Sequence, residues 1–500
     1  MRHGPVRTGE SFRFLSVEAT LTAPSDWDNE SRSKLWRYNL HYFDWLKEKA
    51  ASERTAEDGL WIDRWITDNP AGRGTGWEPY PLSLRIVNWI VWFLTIGEAT
   101  PSRLASLATQ VRALENSLEF HLLGNHLFAN AKALVFAGSF FRGDEADRWR
   151  TQGLALLRDE LPEQILPDGG HFELSPMYHA LILEDVLDLI GLERTYAEPA
   201  TGPLAHLRLS DIAARMSRWL QTMCHPDGEI SYFNDAAFGI APPPHEVFEC
   251  ARARGISVEL EKTEKTLMPS SGYAAIAVGP FHILFDCGRV GPDYIPGHAH
   301  ADTLSFELSV GAERLISNSG TSTYAWGADR QRERSTAAHS TVVIDNENSA
   351  EVWGSFRVGR RPDVGPISSG DDGDSRWIEC HHRGYAHLPG SPIHRRRIAV
   401  RTDSVEIVDD IEGSREHHVS GFFHLHPGVQ VSANGDGRFE LATPEGSRLM
   451  MEITGAQTTE TFESQFAITF GHTVSRTALA WHWRGELPVR IRTRLELLPQ

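Results

Sequence analysis

Cysteine is scarce in this sequence. The chain has four cysteines in 500 residues (Cys224, Cys250, Cys287 and Cys380), and no two of them form a C-x-x-C pair. Scattered single cysteines argue against a disulfide framework and against a zinc site made of thiolates. They are typical of a protein that folds in a reducing compartment.

Long apolar runs are also missing. No stretch approaches the roughly 20 apolar residues that a helix needs to span a bilayer. The first ten residues, MRHGPVRTGE, contain no apolar segment of the kind found in a secretory signal. The sequence therefore predicts no membrane anchor and a cytoplasmic location, while a periplasmic or secreted location stays open.

Positive charge is in the minority. Lys and Arg together number 49 against 67 Asp and Glu, which gives a formal net charge of −18 at pH 7. This surplus of negative charge disfavours nucleic acid and anionic membranes as partners. It does not exclude an anionic substrate, because local clusters such as Arg330 to Arg334 decide binding. No pattern in the sequence indicates an oligomeric state.

The residues that are present indicate two domains. With 41% hydrophobic residues over 500 positions, the chain can build more than one core. In the first half, apolar residues recur at helical spacing; the clearest segments are 81–96, 103–123, 127–141, 178–192 and 209–223. From Gly272 onward, short alternating runs are typical of antiparallel strands. We predict an α+β protein with a helical domain at 1–265, a β-domain at 266–500 and a mobile loop at 365–375.

A histidine-rich segment lies at the predicted entrance to a strand. The run from Pro296 to Asp302 reads PGHAHAD, so His298 and His300 project to the same side if the backbone is extended. His339 likewise precedes a β-branched run, STVVI. A surface turn would explain any one of these histidines, but three at strand entrances favour a functional site.

Further polar segments interrupt the apolar pattern. Asn125 and His126 precede an apolar run, where an Asn side chain can also serve as a helix cap. Tyr178 and His179 follow a Ser-Pro pair that opens a predicted helix, and Tyr324 ends the segment GTSTY. The segments of this kind are 124–126, 168–179, 234–235 and 320–324.

Together these residue types suit elimination at a uronic acid. The reaction needs a group that neutralises the carboxylate, a base for the C5 proton and an acid for the departing glycosidic oxygen. Asn, His and Tyr can fill these roles without a pair of carboxylates. A glycosidase would instead need two placed carboxyl groups, and none of Glu173, Glu184, Asp185 and Asp235 stands out.

The chain resembles the heparinase II/III-like polysaccharide lyases, a family that includes heparinases and several alginate and glycosaminoglycan lyases. The matching segments keep the family's order and are LWRYNLHYF at 35–43, GNHLFAN at 124–130, GHFELSPMYH at 170–179, GHAHAD at 297–302 and TAAHSTV at 336–342. The resemblance implies an incomplete α/α toroid followed by an antiparallel β-sandwich. It also implies cleavage of a uronic-acid polymer, either glycosaminoglycan or alginate-like, by β-elimination.

The resemblance implies catalytic roles position by position. Asn125 and His126 would neutralise the uronate carboxylate. Tyr178 would transfer a proton as the acid, and His298 would be the base or a partner of the base. Tyr324 lies where some relatives carry a second catalytic tyrosine.

Four more residues are candidates for binding the substrate. Trp326 offers an indole face to a sugar ring, although core packing explains many tryptophans equally well. Arg330 and Arg334 could pair with anionic groups of the polymer. His179, next to Tyr178, completes the predicted set.

The resemblance also implies a metal site. His300 and His339 match positions that hold a metal, usually zinc, and relatives generally have an Asp between them where this chain has Asn318. An amide in place of a carboxylate removes one negative charge and weakens the binding of a dication. We predict a divalent ion on His300, Asn318 and His339, zinc first with manganese or calcium as alternatives, and no organic cofactor.

Two other functions stay open on the sequence. One is a non-catalytic carbohydrate-binding or exopolysaccharide-assembly protein. The other is metal-dependent hydrolysis, which is weakened by the absence of a histidine–glutamate helix motif.

Overall fold

The computed structural model describes residues 6–48, 53–196, 206–258 and 263–499. They belong to two compact units, Met1–Gln164 with Glu184–Ala213, and Ile165–Leu183 with Ala214–Gln500. Helices dominate the first unit and sheets the second. The change from helices to strands falls near the predicted boundary at 265. Along the chain, however, each unit consists of two separate segments, because residues 165–183 belong to the unit that contains the sheets.

The predicted helices are present, with shifted ends. The α-helices among the described residues are Lys34–Tyr42, Thr55–Asp68, Pro79–Thr95, Pro101–Glu115, Gly124–Phe140, Asp144–Gln164, Pro176–Thr195, Leu209–Thr222, Pro244–Ala253 and Ala328–Arg334. Short 3-10 helices span Pro24–Asp28, Asp44–Lys47, Thr75–Trp77 and Thr336–Ala338. In the described part of the chain, no helix has the length and apolar character required to cross a bilayer.

Local sequence explains where several helices begin. The Ser33 hydroxyl accepts a hydrogen bond from Trp36 N at 3.2 Å, and Thr100 accepts one from Arg103 N at 3.4 Å. Side-chain oxygens at these positions satisfy backbone N–H groups that the first helical turn leaves open. Most tryptophans of the first 100 residues are core residues, namely Trp27, Trp36, Trp45, Trp61, Trp65, Trp89 and Trp92.

Two glycines let a helix pair approach closely. A side chain at Gly138, in Gly124–Phe140, would lie 2.5 Å from the Ala146 carbonyl oxygen. One at Gly153, in Asp144–Gln164, would lie 2.7 Å from the Ala131 carbonyl oxygen. Backbone cannot move aside cheaply, so glycine is required at this contact.

The strands form antiparallel ladders. Their bounds are β1 Arg7–Thr8, β2 Ser11–Phe14, β3 Val17–Thr20, β4 Lys265–Met268, β5 Tyr273–Val278, β6 Phe281–Asp286, β7 Phe306–Val310, β8 Glu313–Ile316, β9 Val342–Ile344, β10 Val352–Trp353, β11 Arg357–Val358, β12 Ser368–Asp372, β13 Ser375–His382, β14 Ile393–Val400, β15 Ser404–Glu412, β16 Glu416–His424, β17 Gln430–Ala433, β18 Arg438–Ala442, β19 Arg448–Thr454, β20 Thr458–Thr469, β21 His472–Glu486 and β22 Val489–Leu497.

Three sheets of the second unit share one apolar core. Their strand orders are β12-β13-β14-β15-β22-β19-β18-β17, β20-β21-β16-β9 and β4-β5-β6-β7-β8. Each contributes inward-facing residues to a single cluster, for example Ile398, Trp481 and Phe306. Alternation of buried and accessible side chains, as in β14 and β15, matches the period of two that the sequence shows.

Two local predictions are wrong. The segment 365–375, predicted as a mobile loop, contains β12 and enters β13, and its Gly373 occupies the turn between them with a φ of +64°. The chain start, predicted only as part of a helical domain, contains the small sheet β1-β2-β3. The strands are short, and β3 and β12 are polar without a clear alternation.

Candidate active site

The Asp235 carboxylate is the centre of the polar cluster in the second unit. It is fully buried. It accepts hydrogen bonds from His298 Nδ1 and His300 Nε2, each at 2.8 Å, and from Thr321 Oγ1 at 3.1 Å. Arg330 pairs with both oxygens, through Nη1 and, at 2.7 Å, through Nη2. Every strong acceptor direction of the carboxylate is therefore filled.

These partners fix the charge of Asp235. Burial by itself raises the pKa of the carboxyl, because a charge is costly away from water. The Arg330 guanidinium and the hydrogen bonds from His298 and His300 outweigh burial and hold the pKa of Asp235 well below its ordinary value. Asp235 is thus a permanent carboxylate that accepts hydrogen bonds and does not serve as a proton donor.

Asp235 in turn fixes the tautomer of His298. A carboxylate can only accept, so His298 Nδ1 carries the proton that it donates to Asp235. In the neutral ring Nε2 then holds a lone pair, and this nitrogen lies 3.6 Å from Oε2 of the buried Glu173. The His298 side chain is 18% exposed, so a reactant can reach it. A buried carboxylate behind an accessible imidazole is an arrangement that supports proton abstraction.

Two tyrosines lie beside His298. The Tyr178 and Tyr324 hydroxyl oxygens are 3.0 Å apart, and the Tyr178 ring centroid lies 4.0 Å from that of His298. Burial, followed by the neighbouring Tyr324 and Asp235, raises the pKa of Tyr178 well above its ordinary value. Burial and Asp235 likewise raise the pKa of Tyr324. Both side chains are therefore neutral phenols that can donate a proton.

Strained backbone positions hold these groups in place. Leu174 and Asn234 have φ values of +60° and +57°, which are rare outside glycine. The Asn234 amide donates to the Leu174 carbonyl oxygen and accepts from the His300 N–H, each at 3.0 Å. The Ser175 hydroxyl donates to the Asp235 carbonyl oxygen at 2.6 Å. One asparagine side chain thus ties together the three segments that carry the cluster.

The predicted metal ligands do not converge on one point. His300 Nδ1 lies 3.3 Å from His339 Nε2, whereas Asn318 Oδ1 lies 3.1 Å from His339 Nδ1. Nε2 and Nδ1 of His339 lie on opposite edges of its imidazole ring. One ion therefore cannot contact Asn318 and also occupy the space between His300 and His339. Zinc needs three or four ligands. In the described ranges, no group of three or more His, Cys, Asp or Glu is arranged to hold a metal ion. The set His300, Asn318 and His339 therefore does not fit a shared ion.

Two predicted substrate-binding arginines are structural. Arg330 and Arg334 are both fully buried. Arg330 is paired with Asp235 and donates through Nε to the Ser355 carbonyl oxygen at 2.9 Å. Arg334 donates through Nε and Nη2 to the Ala299 carbonyl oxygen. Their donors are already used, which corrects the prediction that they bind an anionic polymer.

His179 is also structural, while Trp326 stays available. His179 is fully buried, its Nδ1 accepts from the His171 N–H at 3.2 Å, and its Nε2 donates to the Met216 carbonyl oxygen at 2.9 Å. Burial lowers the pKa of His179 to about 3. A neutral ring with both nitrogens occupied cannot bind a sugar. Trp326 is 78% exposed and can do so.

Asn125 and His126 lie in the first unit, in the first turn of Gly124–Phe140. Neither is the N-cap of this helix, which is Leu123, so the interpretation of Asn125 as a cap is wrong. Leu123 has φ 59° and ψ −156°, a strained combination found almost only in glycine. His126 Nδ1 lies 3.0 Å from the Glu119 carboxylate, and its ring is 4.4 Å from that of Tyr80. Strain next to half-exposed polar side chains is typical of a functional segment.

From the sequence alone, Asp235 is only one of several polar residues. The available signal was the Asn234-Asp235 pair after an apolar run. Its importance comes from His298 and Arg330, which are 63 and 95 residues away in sequence. No local pattern could have indicated those contacts.

Comparison with known proteins covers almost the whole chain. The family model "Heparinase II/III N-terminus" matches residues 19–240, and "Heparinase II/III-like, C-terminal" matches residues 261–492. A heparin-sulfate lyase from Bacteroides stercoris is 21% identical over 447 residues, which are 84% of this chain and 64% of that protein. The chain thus spans under two thirds of that relative's length.

A second bacterial protein and a solved structure are also similar to this chain. FtsZ-localized protein C from Caulobacter vibrioides is 26% identical over 477 residues, which are 87% of this chain and 79% of that protein. The crystal structure of a heparinase III superposes with a TM-score of 0.78 at 18% identity, covering 94% of this chain and 79% of the other. At this level of identity the likeness concerns the fold.

Proposed function

Because the chain belongs to the heparinase II/III-like family, we propose that it is a polysaccharide lyase. Its substrate is a uronic-acid-containing polysaccharide, which it cleaves by β-elimination to a 4,5-unsaturated product. A glycosaminoglycan is the first candidate, because similar proteins carry the name heparin-sulfate lyase. An alginate-like polymer belongs to the same chemical class.

One observation carries the proposal. His298 lies between the buried Asp235 carboxylate and two neutral phenols, Tyr178 and Tyr324. His298 Nε2 takes the C5 proton of the uronate, and the electron pair of the C5–H bond forms the C4–C5 double bond. The C4–O bond breaks, and the departing oxygen takes a proton from a tyrosine. Asp235 stabilises the imidazolium that forms.

Tyr178 is the acid in this scheme. It lies closer to His298 than Tyr324 does, with ring centroids at 4.0 Å against 5.7 Å. The raised pKa keeps its proton in place until the leaving oxygen develops negative charge. Tyr324, at 3.0 Å from the Tyr178 hydroxyl, holds this hydroxyl in position and can return the proton.

The same geometry disfavours glycoside hydrolysis. A glycosidase needs one carboxylic acid that donates a proton and a second carboxylate that attacks or activates water. Asp235 is fully buried and paired with Arg330, so neither role is open to it. The imidazole of His298 occupies the space between Asp235 and Glu173.

Three further assignments remain proposals, and the first two of them rest on the family resemblance. Asn125 and His126 neutralise the uronate carboxylate. The helices of the first unit close into an incomplete α/α toroid, and the sheets of the second form a β-sandwich. Trp326 contacts the polymer through its exposed indole.

The proposal is tested with a panel of heparan sulfate, chondroitin sulfate, hyaluronan and alginate. We expect a rise in ultraviolet absorbance from the conjugated C4–C5 double bond on at least one polymer. Tyr178→Phe should lower the rate by about 10²- to 10⁴-fold while the melting temperature stays close to that of the wild type. Tyr385→Phe is the matched control, since Tyr385 is also buried but donates to the Val342 carbonyl oxygen.

Other outcomes identify the alternatives. New reducing ends without absorbance would show hydrolysis and refute the proposal. Binding to a polymer without either product would indicate a non-catalytic carbohydrate-binding or assembly protein. Near-normal turnover by Tyr178→Phe would refute its role as the acid.

A further inference from the structure

An exposed aromatic ring lies directly beside the proposed reacting side chains. Phe356 is 43% exposed, and its ring centroid lies 5.9 Å from that of His298 and 5.5 Å from that of Tyr324. None of the proton transfers proposed above uses it. Single exposed apolar side chains are common on protein surfaces, but an apolar ring that borders convergent polar groups is typical of a ligand site.

Phe356 is carried by a small hairpin. Strands β10 and β11 pair through Val352 with Val358 and through Trp353 with Arg357. Val352 and Val358 pack against a small apolar cluster that includes Ala299 and Ala301. These two alanines alternate with the histidines of the segment 298–301. The hairpin therefore rests on the backbone that carries His298.

Buried arginines fasten this hairpin. Arg330 Nε donates to the Ser355 carbonyl oxygen at 2.9 Å, while its other nitrogens pair with Asp235. Arg334 Nη2 donates to the Arg357 carbonyl oxygen at 3.2 Å. The group that fixes the charge of Asp235 thus also fixes the turn that presents Phe356. Such support by surrounding side chains is what a preorganised binding surface requires.

The exposed ring of Phe356 and the polar side chains beside it suit a sugar ring. Pyranose rings present a patch of C–H groups that packs on the face of an aromatic ring, and that face is electron-rich. The ring edge of the same sugar carries hydroxyl and carboxylate groups, which need polar partners such as His298, Tyr178 and Tyr324. An apolar platform beside convergent polar groups fits a ligand with both characters.

We propose that Phe356 is a substrate-binding residue that stacks on the uronate ring whose C5 proton faces His298. This inference rests on the proposed function. The ring holds the sugar over the imidazole, so that removing it weakens substrate binding more than it slows proton transfer. A role limited to covering Arg330, whose guanidinium carbon lies 5.5 Å from the Phe356 centroid, would leave substrate binding unchanged.

The test compares Phe356→Ala, Phe356→Leu and Phe356→Tyr with the control Trp353→Ala. Trp353 belongs to the same hairpin and is 47% exposed. KM and kcat are measured by double-bond absorbance on the polymer that the wild type cleaves. The dissociation constant for that polymer is measured by calorimetry with each substitution added to Tyr178→Phe. Melting temperatures verify that every variant is folded.

We expect KM and the dissociation constant to rise tenfold or more in Phe356→Ala and Phe356→Leu, with kcat within threefold of the wild type. In Phe356→Tyr, which keeps the ring, KM and the dissociation constant should stay close to the wild-type values. In Trp353→Ala both constants should stay within threefold of the wild type. Unchanged KM and dissociation constant in Phe356→Ala would overturn the inference, as would a fall in kcat alone. If the wild type eliminates no polymer of the panel, the proposed function fails, and the calorimetry on bound polymer still decides whether Phe356 contacts sugar.

Discussion

At the residue scale, the protonation state of the site follows from one buried carboxylate. Asp235 is charged because Arg330 lies against it, and His298 carries its proton on Nδ1 because Asp235 can only accept. The lone pair of Nε2 then points away from the carboxylate. The tautomer of His298 therefore depends on two fully buried residues, Asp235 and Arg330.

Asp235→Asn should lower activity and stability together. The amide can donate to His298 Nδ1 and favour the wrong tautomer, which should lower kcat by about 10²- to 10⁴-fold. It also leaves the Arg330 charge buried without its partner, at a cost of about 3–5 kcal/mol. Kinetics by absorbance and unfolding by urea measure the two effects.

Asp410→Asn is the matched control. Asp410 pairs with Arg490 through two hydrogen bonds of 2.6 and 3.0 Å, but the Arg490 side chain is 64% exposed. Exposed pairs contribute about 1 kcal/mol or less. Equal losses in Asp235→Asn and Asp410→Asn would contradict the special role of the buried carboxylate.

The metal prediction can also be tested at this scale. Only His300 Nδ1 and His339 Nε2 face each other, and Asn318 lies on the far edge of His339. We expect dialysis against a chelator to change the rate of elimination by less than twofold. We also expect elemental analysis of the purified protein to find well below one ion per chain. One equivalent of zinc that disappears in His339→Ala would contradict this.

The sequence predicted part of this site for physical reasons. The sequence indicates His298 and Tyr178 as candidates because their segments are too polar to serve only as core. Arg330 was misassigned because a sequence does not tell whether a cation is exposed or paired inside the protein. The pairing partner Asp235 is 95 residues away, and only the folded chain brings them together.

At the element scale, backbone contact sets the spacing of the helix pair Gly124–Phe140 and Asp144–Gln164. Alanine is a better helix former than glycine by about 1 kcal/mol. A side chain at position 153 would nevertheless meet Ala131 O at 2.7 Å and Val135 N at 2.9 Å. Overpacking of this kind costs about 1–3 kcal/mol.

Gly153→Ala should therefore destabilise the protein despite its helix propensity. We expect a lower urea midpoint and a lower melting temperature than in the wild type. Gly59→Ala, in the helix Thr55–Asp68, is a comparison in which the new side chain meets the flexible end of Arg103 and not backbone. A stabilised Gly153→Ala would contradict the close approach of the two helices.

Element types were predicted better than element ends. Apolar periodicity predicted most helices of the first half, because burial of one face produces that pattern. The helix containing Asn125 begins at Gly124 instead of Leu127, since a strained Leu123 and not a capping side chain precedes it. Segment 365–375 was misassigned because its strand β12 is edge-located and polar, with Gly370 packed on Trp377 of β13.

At the scale of the whole molecule, buried neutral histidines make stability depend on pH. Burial lowers the pKa values of His41, His179 and His424 to about 3 each. In the unfolded chain a histidine titrates near about 6.5. Below that pH the unfolded state binds protons that the folded state does not bind. The free energy of unfolding therefore decreases as the pH is lowered.

The melting temperature should therefore fall as the pH is lowered from 7 to 5. The melting temperature of His179→Gln should fall less steeply than that of the wild type. The substitution removes one buried group that changes the free energy of unfolding by up to about 1.4 kcal/mol per pH unit in this window. Differential scanning calorimetry at constant ionic strength measures both. A melting temperature that stays constant between pH 7 and 5, or a steeper fall in His179→Gln, would contradict the neutral state of these rings.

The most direct test of β-elimination follows the oxygen atoms. The protein is incubated with a polymer that it cleaves, in water enriched in heavy oxygen, and the oligosaccharides are weighed by mass spectrometry. Elimination takes no oxygen from water, so we predict no heavy label at the new chain ends and products lighter by one water than those of hydrolysis. Products that carry one heavy oxygen per cleavage would show hydrolysis and contradict the assignment of His298 and Tyr178 as base and acid of a lyase.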